Sequence, residues 1–335
     1  MTPVVSVLIA AYNMGSYLPI AIESVLAQDF DDFELVISDN MSTDETSDIG
    51  QRYARQDARI KYFRNSVHVN AAENFNLCYQ RSNPAAKYWA MLAADDWWKP
   101  GLLSTLVGVA DRDPSLTIIH TDATLTHADG NPSSVKYSEL WNHFTIPIPG
   151  HGPHQGVRQL FQGCYIMALA TLVNRDMKEH ILPTGRLMDP SLMLTPDYDL
   201  WLQLFVRGAK AFYVDEPLAY YRKHDTAMTM PWNDLRRLRE EMMIFKEKLA
   251  GICPPELEEL RVETLQSRLA HLGFELLAAE QPNEARRLLR EAGALHSRRR
   301  LDIPVARLVS GLPLPAPLRA SIWQQAVRGH QMLVR

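Results

Sequence analysis

The opening stretch M-T-P-V-V-S-V-L-I-A-A-Y-N, Met1 to Asn13, decides the architecture. It is a β-branched apolar run, too short to cross a bilayer and followed at once by polar residues. It therefore reads as a central strand and not as a signal peptide. Tyr17 to Gln28 then places Leu18, Ile22, Val25 and Leu26 at helical spacing. Phe33 to Ile37 is a second apolar strand, ending at Ser38-Asp39-Asn40. The alternation continues with a helix over 43–56, a strand over 60–63, a helix over 71–81 and a strand over 87–92. Strands alternating with helices predict an α/β fold with a doubly wound, largely parallel sheet.

The last of those strands lies in W-A-M-L-A-A-D-D-W-W-K-P, Trp89 to Pro100. An apolar run here delivers two adjacent carboxylates, Asp95 and Asp96, to a strand mouth. Hard divalent cations prefer carboxylate oxygens and complete their shell with water and substrate phosphates. The pair thus suits a metal and diphosphate site, against the simpler reading of a solvated turn before a helix opened by Pro100. In doubly wound sheets ligands bind outside the carboxyl ends of the strands, where Ala11, Tyr12, Asn13, Asp39 and the Asp pair all fall. No G-x-G-x-x-G follows the first strand and no P-loop motif occurs, which leaves a mononucleotide held through a metal.

Five segments, taken in order, carry a resemblance. V-S-V-L-I-A-A-Y-N (Val5 to Asn13), E-L-V-I-S-D-N-M-S-T-D-E-T (Glu34 to Thr46), L-A-A-D-D-W-W-K-P (Leu92 to Pro100), P-D-Y-D-L-W-L-Q-L (Pro196 to Leu204) and P-L-A-Y-Y-R-K-H (Pro217 to His224) resemble the successive motifs of family 2 glycosyltransferases with the GT-A fold. The likeness runs over about residues 3–228. It implies inverting transfer of a sugar from a nucleotide sugar to an acceptor hydroxyl. The implied domains are a catalytic domain over 1–228, with a nucleotide half to about 112 and an acceptor half beyond it, and a helical region over 229–335.

The resemblance also implies roles. Asp39 corresponds to a carboxylate that accepts the imide N–H of uracil or thymine, so the donor is expected to be UDP- or dTDP-linked; an ionised carboxylate is acceptor-only. Tyr12 corresponds to a base-packing residue, with Asn13 closing that pocket, and Asn74 to a position facing the nucleotide. Asp96 would ligate Mg²⁺ or Mn²⁺ while Asp95 holds ribose or a metal-bound water, or the two exchange roles. His224 would complete the metal shell and Arg222 would fork to the diphosphate. Asp197, in the first turn of a helix whose buried face is Leu200, Trp201 and Leu204, matches the general base; taken alone it would complement the helix dipole. Asp199 falls on another face of that helix.

Three departures from the family pattern stand out. Ala93 replaces an Asp of a D-x-D-D arrangement, and Pro196 replaces the Glu before the base. Asn70 sits where a glycine is usual, and a left-handed Asn is expected to preserve the turn. Ser42, Thr43 and Asp44 read as a helix start.

A formal net charge of -4 gives no general attraction to nucleic acid or anionic membrane. The three cysteines, Cys78, Cys164 and Cys253, are widely spaced, so reduced thiols and a cytoplasmic enzyme, also able to work at the inner membrane face, are expected. Ala128 to Asn131 is a hairpin turn signal, and Thr145 to His154 is a Pro/Gly-rich loop expected to border the acceptor site, or else a mobile surface loop whose His151 and His154 are solvated. Trp141 and His143 beside it are candidate sugar contacts, on a glycan or lipid-linked glycan acceptor. From Trp232 onward the spacing is helical, with breaks at Pro254-Pro255 and Gln281-Pro282. The Arg298-Arg299-Arg300 cluster fits either a solvated helix end or peripheral membrane contact. Two other classes compete: a catalytically silent scaffold of the same fold, and a sugar nucleotidyltransferase, whose G-x-G-x-R loop is missing from A-A-Y-N-M-G-S-Y. The sequence does not fix the oligomeric state.

Overall fold

The computed structural model describes residues 2–142, 148–177, 186–224 and 234–295. The chain divides into two compact units, Met1–Ala227 and Met228–Arg335.

The first unit is built on one mixed ten-stranded sheet. Its leading edge is parallel, with β1 (Val5–Ala11) between β2 (Phe33–Asp39) and β4 (Tyr88–Ala93), and β3 (Ile60–Arg64) outside β2. Val5, Val7, Leu8 and Ile9 are wholly buried, which is why β1 reads as an unbroken apolar run. Each such side chain contributes roughly 1.5–3 kcal/mol. Helices α1 (Leu18–Leu26), α2 (Thr46–Gln56) and α3 (Ala71–Arg81) make the crossovers.

Beyond β4 the order continues through β9 (Thr171–Asn174), β6 (Ile118–Thr126), β10 (Ala211–Arg222) and the two-residue β5 (Trp97–Trp98). β9 is antiparallel to both β4 and β6, whereas β10 is parallel to β6. β5 runs antiparallel to β10 and precedes α4 (Leu102–Arg112). The Ala128–Asn131 turn joins β6 to β7 (Pro132–Lys136), with Gly130 at φ 89°. Short helices α5 (Tyr137–Asn142) and α6 (Val157–Gln162) flank β8 (Gly152–His154), which pairs with β10. α7 spans Pro196–Val206 and is buried at every position from Tyr198 to Val206, so it is a core helix rather than an amphipathic one.

The second unit contains α8 (Leu235–Met243), prolonged by a π-helical turn at Ile244–Lys248, then α9 (Pro255–Ala278) and α10 (Pro282–Ala294). Leu265, Leu269, Leu272 and Leu276 are buried, as their spacing predicts. A Cβ on Gly273 would come within 2.8 Å of Leu289, so this glycine lets α9 and α10 approach closely. Among the described residues no helix is long and apolar enough to cross a membrane. The Arg298 to Arg300 cluster, His143 and the side chain of Trp141 lie outside the described residues.

Three local expectations change. Asn70 is not left-handed: at φ -76°, ψ 169° it is the N-cap of α3, its side chain accepting from the Glu73 N–H. The helix expected from Thr43 begins at Thr46. His154 is not a solvated loop residue: it closes β8, half-buried, with its Nε2 2.9 Å from that of His120.

Candidate active site

The carboxyl ends of β1, β2, β4 and β10 gather the candidate residues. Ala11, Asp39 and Arg64 form a cross-strand row, since Ala11 registers with Asp39 and Asp39 with Arg64. After β1 the chain turns at Asn13, which adopts φ 53°, a left-handed geometry that Asn accepts. The exposed N–H groups of this turn are met from the next loop. Asn13 N donates to Ser42 Oγ, Met14 N to Thr46 Oγ1 and Gly15 N to Asp44 Oδ2, while Thr43 N donates to Asn13 Oδ1. Ser42 and Asp44 therefore brace the β1–α1 loop, besides the bond from Thr46 N to Asp44 Oδ1.

Tyr12 projects from this frame, 45% exposed, with its ring centroid 4.6 Å from that of His68. Asp39 beside it is fully buried. Its Oδ1 accepts from Ser42 N, and its Oδ2 from the Tyr62 hydroxyl at 2.7 Å and from Arg64 at 3.2 Å. An incoming base reaches this carboxylate only when a covering group moves. Burial, then the bond to Asp39, raises the Tyr62 hydroxyl above its usual pKa, so it stays a donor. Asn74 does not face a ligand surface: at 2% exposure it donates to Ser38 O and accepts from Ser38 Oγ and Asn65, locking α3 to the end of β2.

Between β4 and β5 the Asp pair splits into two environments. Asp96 is 2% exposed and its Oδ1 accepts the Arg222 backbone N–H at 2.8 Å. Burial, and then the neighbouring Asp95, push its carboxyl well above the ordinary range. The Asp95 side chain is more open, at 19%, and its Oδ2 lies 2.8 Å from His224 Nε2. Among the described residues no group of three His, Cys, Asp or Glu converges as a metal cage. The expected trio of Asp95, Asp96 and His224 is thus not assembled, because Asp96 turns inward to β10. The donor set that remains, one carboxylate and one imidazole, fits Mn²⁺ or Mg²⁺ bound with water and phosphate oxygens. A cation there would also offset the charge that burial penalises at Asp96.

Arg222 is a clamp, not an open phosphate fork. It is 3% exposed, its Nε donates to Asp95 O and its Nη1 to Ala128 O. Its guanidinium lies 4.7 Å from the Tyr17 ring and 4.6 Å from the Trp97 ring. Tyr17 also covers His224, at 5.4 Å between centroids. Tyr17, Trp97, Tyr62 and Arg64 are functional neighbours that no motif singles out, although Trp97 stands within the Leu92 to Pro100 segment.

Asp197 occupies the first turn of α7, half-buried, with its Oδ1 accepting from Tyr198 N. Asp199 is 1% exposed and accepts from the Gln203 side chain, so it belongs to the interior of the helix packing.

Residues 6–154 match Glycosyl transferase family 2. Over this segment the chain is similar to that family. A Bacillus subtilis protein assigned to teichuronic acid biosynthesis as a glycosyltransferase, TuaG, is 26% identical over 245 residues, covering 73% of this chain and 88% of that one. An Escherichia coli UDP-Glc:alpha-D-GlcNAc-diphosphoundecaprenol beta-1,3-glucosyltransferase is 25% identical, over 72% and 85%. Among solved structures, Staphylococcus aureus TarS superposes with a TM-score of 0.58 at 14% identity, over 86% and 88% of the two chains. A Pyrobaculum calidifontis mannosyltransferase in complex with GDP-Man and Mn²⁺ gives 0.60 at 15% identity, over 98% and 86%. The fold is the GT-A glycosyltransferase fold. The Asp pair lies inside the matched segment, whereas Asp197, Arg222 and His224 lie beyond it.

Proposed function

We propose that this glycosyltransferase inverts the anomeric centre of a nucleotide sugar, UDP- or dTDP-linked, while moving the sugar to an acceptor hydroxyl. The observation that carries the reading is the contact of Asp95 with His224, which leaves an oxygen and nitrogen donor pair at the ligand edge of the sheet. The base lies against Tyr12, above the Asp39 and Arg64 pair, which sets an acceptor beside a half-exposed donor. Asp197 takes the proton of the acceptor hydroxyl, and that oxygen attacks the anomeric carbon as the nucleoside diphosphate departs. No covalent sugar–enzyme intermediate is required. The chemistry a bound Mg²⁺ or Mn²⁺ supplies is stabilisation of negative charge on the departing diphosphate.

The relatives support the setting. The E. coli enzyme acts on a diphosphoundecaprenol-linked sugar and the B. subtilis protein is assigned to teichuronic acid biosynthesis. TarS has been solved with UDP-GlcNAc, and the archaeal mannosyltransferase with a nucleotide sugar and Mn²⁺. The proposed acceptor is a glycan or lipid-linked glycan of the bacterial surface, glycosylated on the cytoplasmic side. Calorimetric titration with UDP, dTDP, GDP and CDP, with and without Mn²⁺, tests this on wild type and on Asp95→Ala/Asp96→Ala. Cation-dependent binding of UDP or dTDP that the double variant loses is the expected result. Failure of all four nucleotides to bind would favour a silent scaffold.

A further inference from the structure

The segment H-V-N-A-A-E-N-F-N, His68 to Asn76, builds a polar ladder between two regions far apart in sequence. At its lower end Asn40, next to Asp39, treats Val69 as a paired strand residue. Its Nδ2 donates to Val69 O at 2.6 Å and its Oδ1 accepts from Val69 N at 2.9 Å. His68 Nδ1 lies 3.2 Å from Asn40 O, and the His68 ring meets Tyr12. The start of α3 is thereby tied to the proposed base corner.

The upper end grips the segment that leads into α7. Asn70, having capped α3 through Oδ1, donates from Nδ2 to Pro190 O at 2.6 Å. Asn76 is 1% exposed and holds Met188 at both backbone groups: Met188 N donates to its Oδ1 and its Nδ2 donates to Met188 O, each at 2.9 Å. The remaining amide hydrogen of Asn76 goes to Glu73, which also meets Arg186 at 3.5 Å. Both Asn76 amide hydrogens and its oxygen are thus engaged. Buried amide networks of this kind are directional and fix one arrangement, because any shift strands a donor or acceptor. Leu187, Met188 and Leu192 are buried around the grip, and a turn from Asp189 O to Leu192 N carries the chain on towards Pro196 and Asp197.

We propose that Asn70 and Asn76 are positioning residues that couple the nucleotide corner to the segment carrying Asp197. Ordering of the Tyr12, His68 and Asn40 corner by a bound nucleotide is transmitted along the first two turns of α3 to residues 186–195. The inference rests on the donor-site reading above and adds a link between donor binding and placement of the acceptor base.

Hydrogen–deuterium exchange of the full chain, with and without the nucleotide diphosphate that binds best in the titration, tests it. In wild type, nucleotide slows exchange across 186–195 by about fivefold or more. Asn76→Ala and Asn70→Ser abolish that slowing while leaving nucleotide affinity unchanged. Ser retains the helix cap but is too short to reach Pro190, so Asn70→Ser keeps the test open should Asn76→Ala fold poorly. Binding without any slowing across 186–195, or slowing that survives in both variants, overturns the proposal. Absence of binding by any nucleotide removes the donor-site reading itself, and the coupling with it.

Discussion

The His224 imidazole and the Asp95 carboxylate meet at 2.8 Å across 129 residues of sequence, joining the end of β10 to the turn after β4. Both side chains are largely enclosed, and the Tyr17 ring lies over the imidazole. His224→Ala and Asp95→Asn should each weaken Mn²⁺-dependent nucleotide binding by about tenfold or more, since even outer partners of a metal are worth that much. Titration with Mn²⁺ and again with a chelator checks it; equal losses in both would assign the pair to the nucleotide directly.

Arg222 carries a different expectation. Its guanidinium is held by two carbonyls and two aromatic faces, so Arg222→Met leaves the Asp95 and Ala128 carbonyls without their donor. The loss should be about 2–4 kcal/mol of stability in urea unfolding. An unchanged midpoint would mean that the clamp is dispensable.

Acid should weaken the fold through the pair of His120 and His154. Burial lowers the His154 pKa from 6.5 to about 4, and burial together with His154 holds His120 well below its usual value. The unfolded chain takes up protons below about pH 6.5 that the native pair refuses, so this contribution is full above that pH and shrinks as the pH falls towards 4. For His154 the loss approaches about 3 kcal/mol. Unfolding measured from pH 7.5 to 4 should show a shallower slope in His154→Phe than in wild type.

Gly50 in α2 tests the support of Asp39. A Cβ there would come within 2.4 Å of the Tyr62 ring, whose hydroxyl holds Asp39. Helix propensity favours Ala by about 1 kcal/mol, but overpacking costs about 1–3 kcal/mol. Gly50→Ala should therefore be neutral to destabilising in thermal unfolding and weaken nucleotide binding, as tyrosine and carboxylate shift together. A clear gain in melting temperature with unaltered affinity would contradict this coupling.

What the chain disclosed before folding follows its physics. β1, β2 and β4 are buried on both faces, so their apolar runs were continuous and their order readable. The Asp pair stood out because carboxylates at the end of such a run have few other uses. Asn70 was misread because the same residue type serves two geometries: here the left-handed asparagine is Asn13, while Asn70 caps a helix. The inward turn of Asp96 was invisible, since it depends on the backbone N–H of Arg222, 126 residues away. Likewise nothing local marks Tyr17 and Trp97 as the two walls around one guanidinium.

Because the Asp turn runs directly into β5, which among the described residues pairs with β10, the carboxylates take their geometry from a strand far later in the chain. Synthesis delivers Asp95 and Asp96 long before the strand that seats them. A fragment stopped at residue 154, where the family match ends, would hold both acids yet lack β10, which ends at Arg222, and His224 just after it. Competence to bind a cation should thus appear as a single event, when the last strand docks, and not accumulate as the chain lengthens.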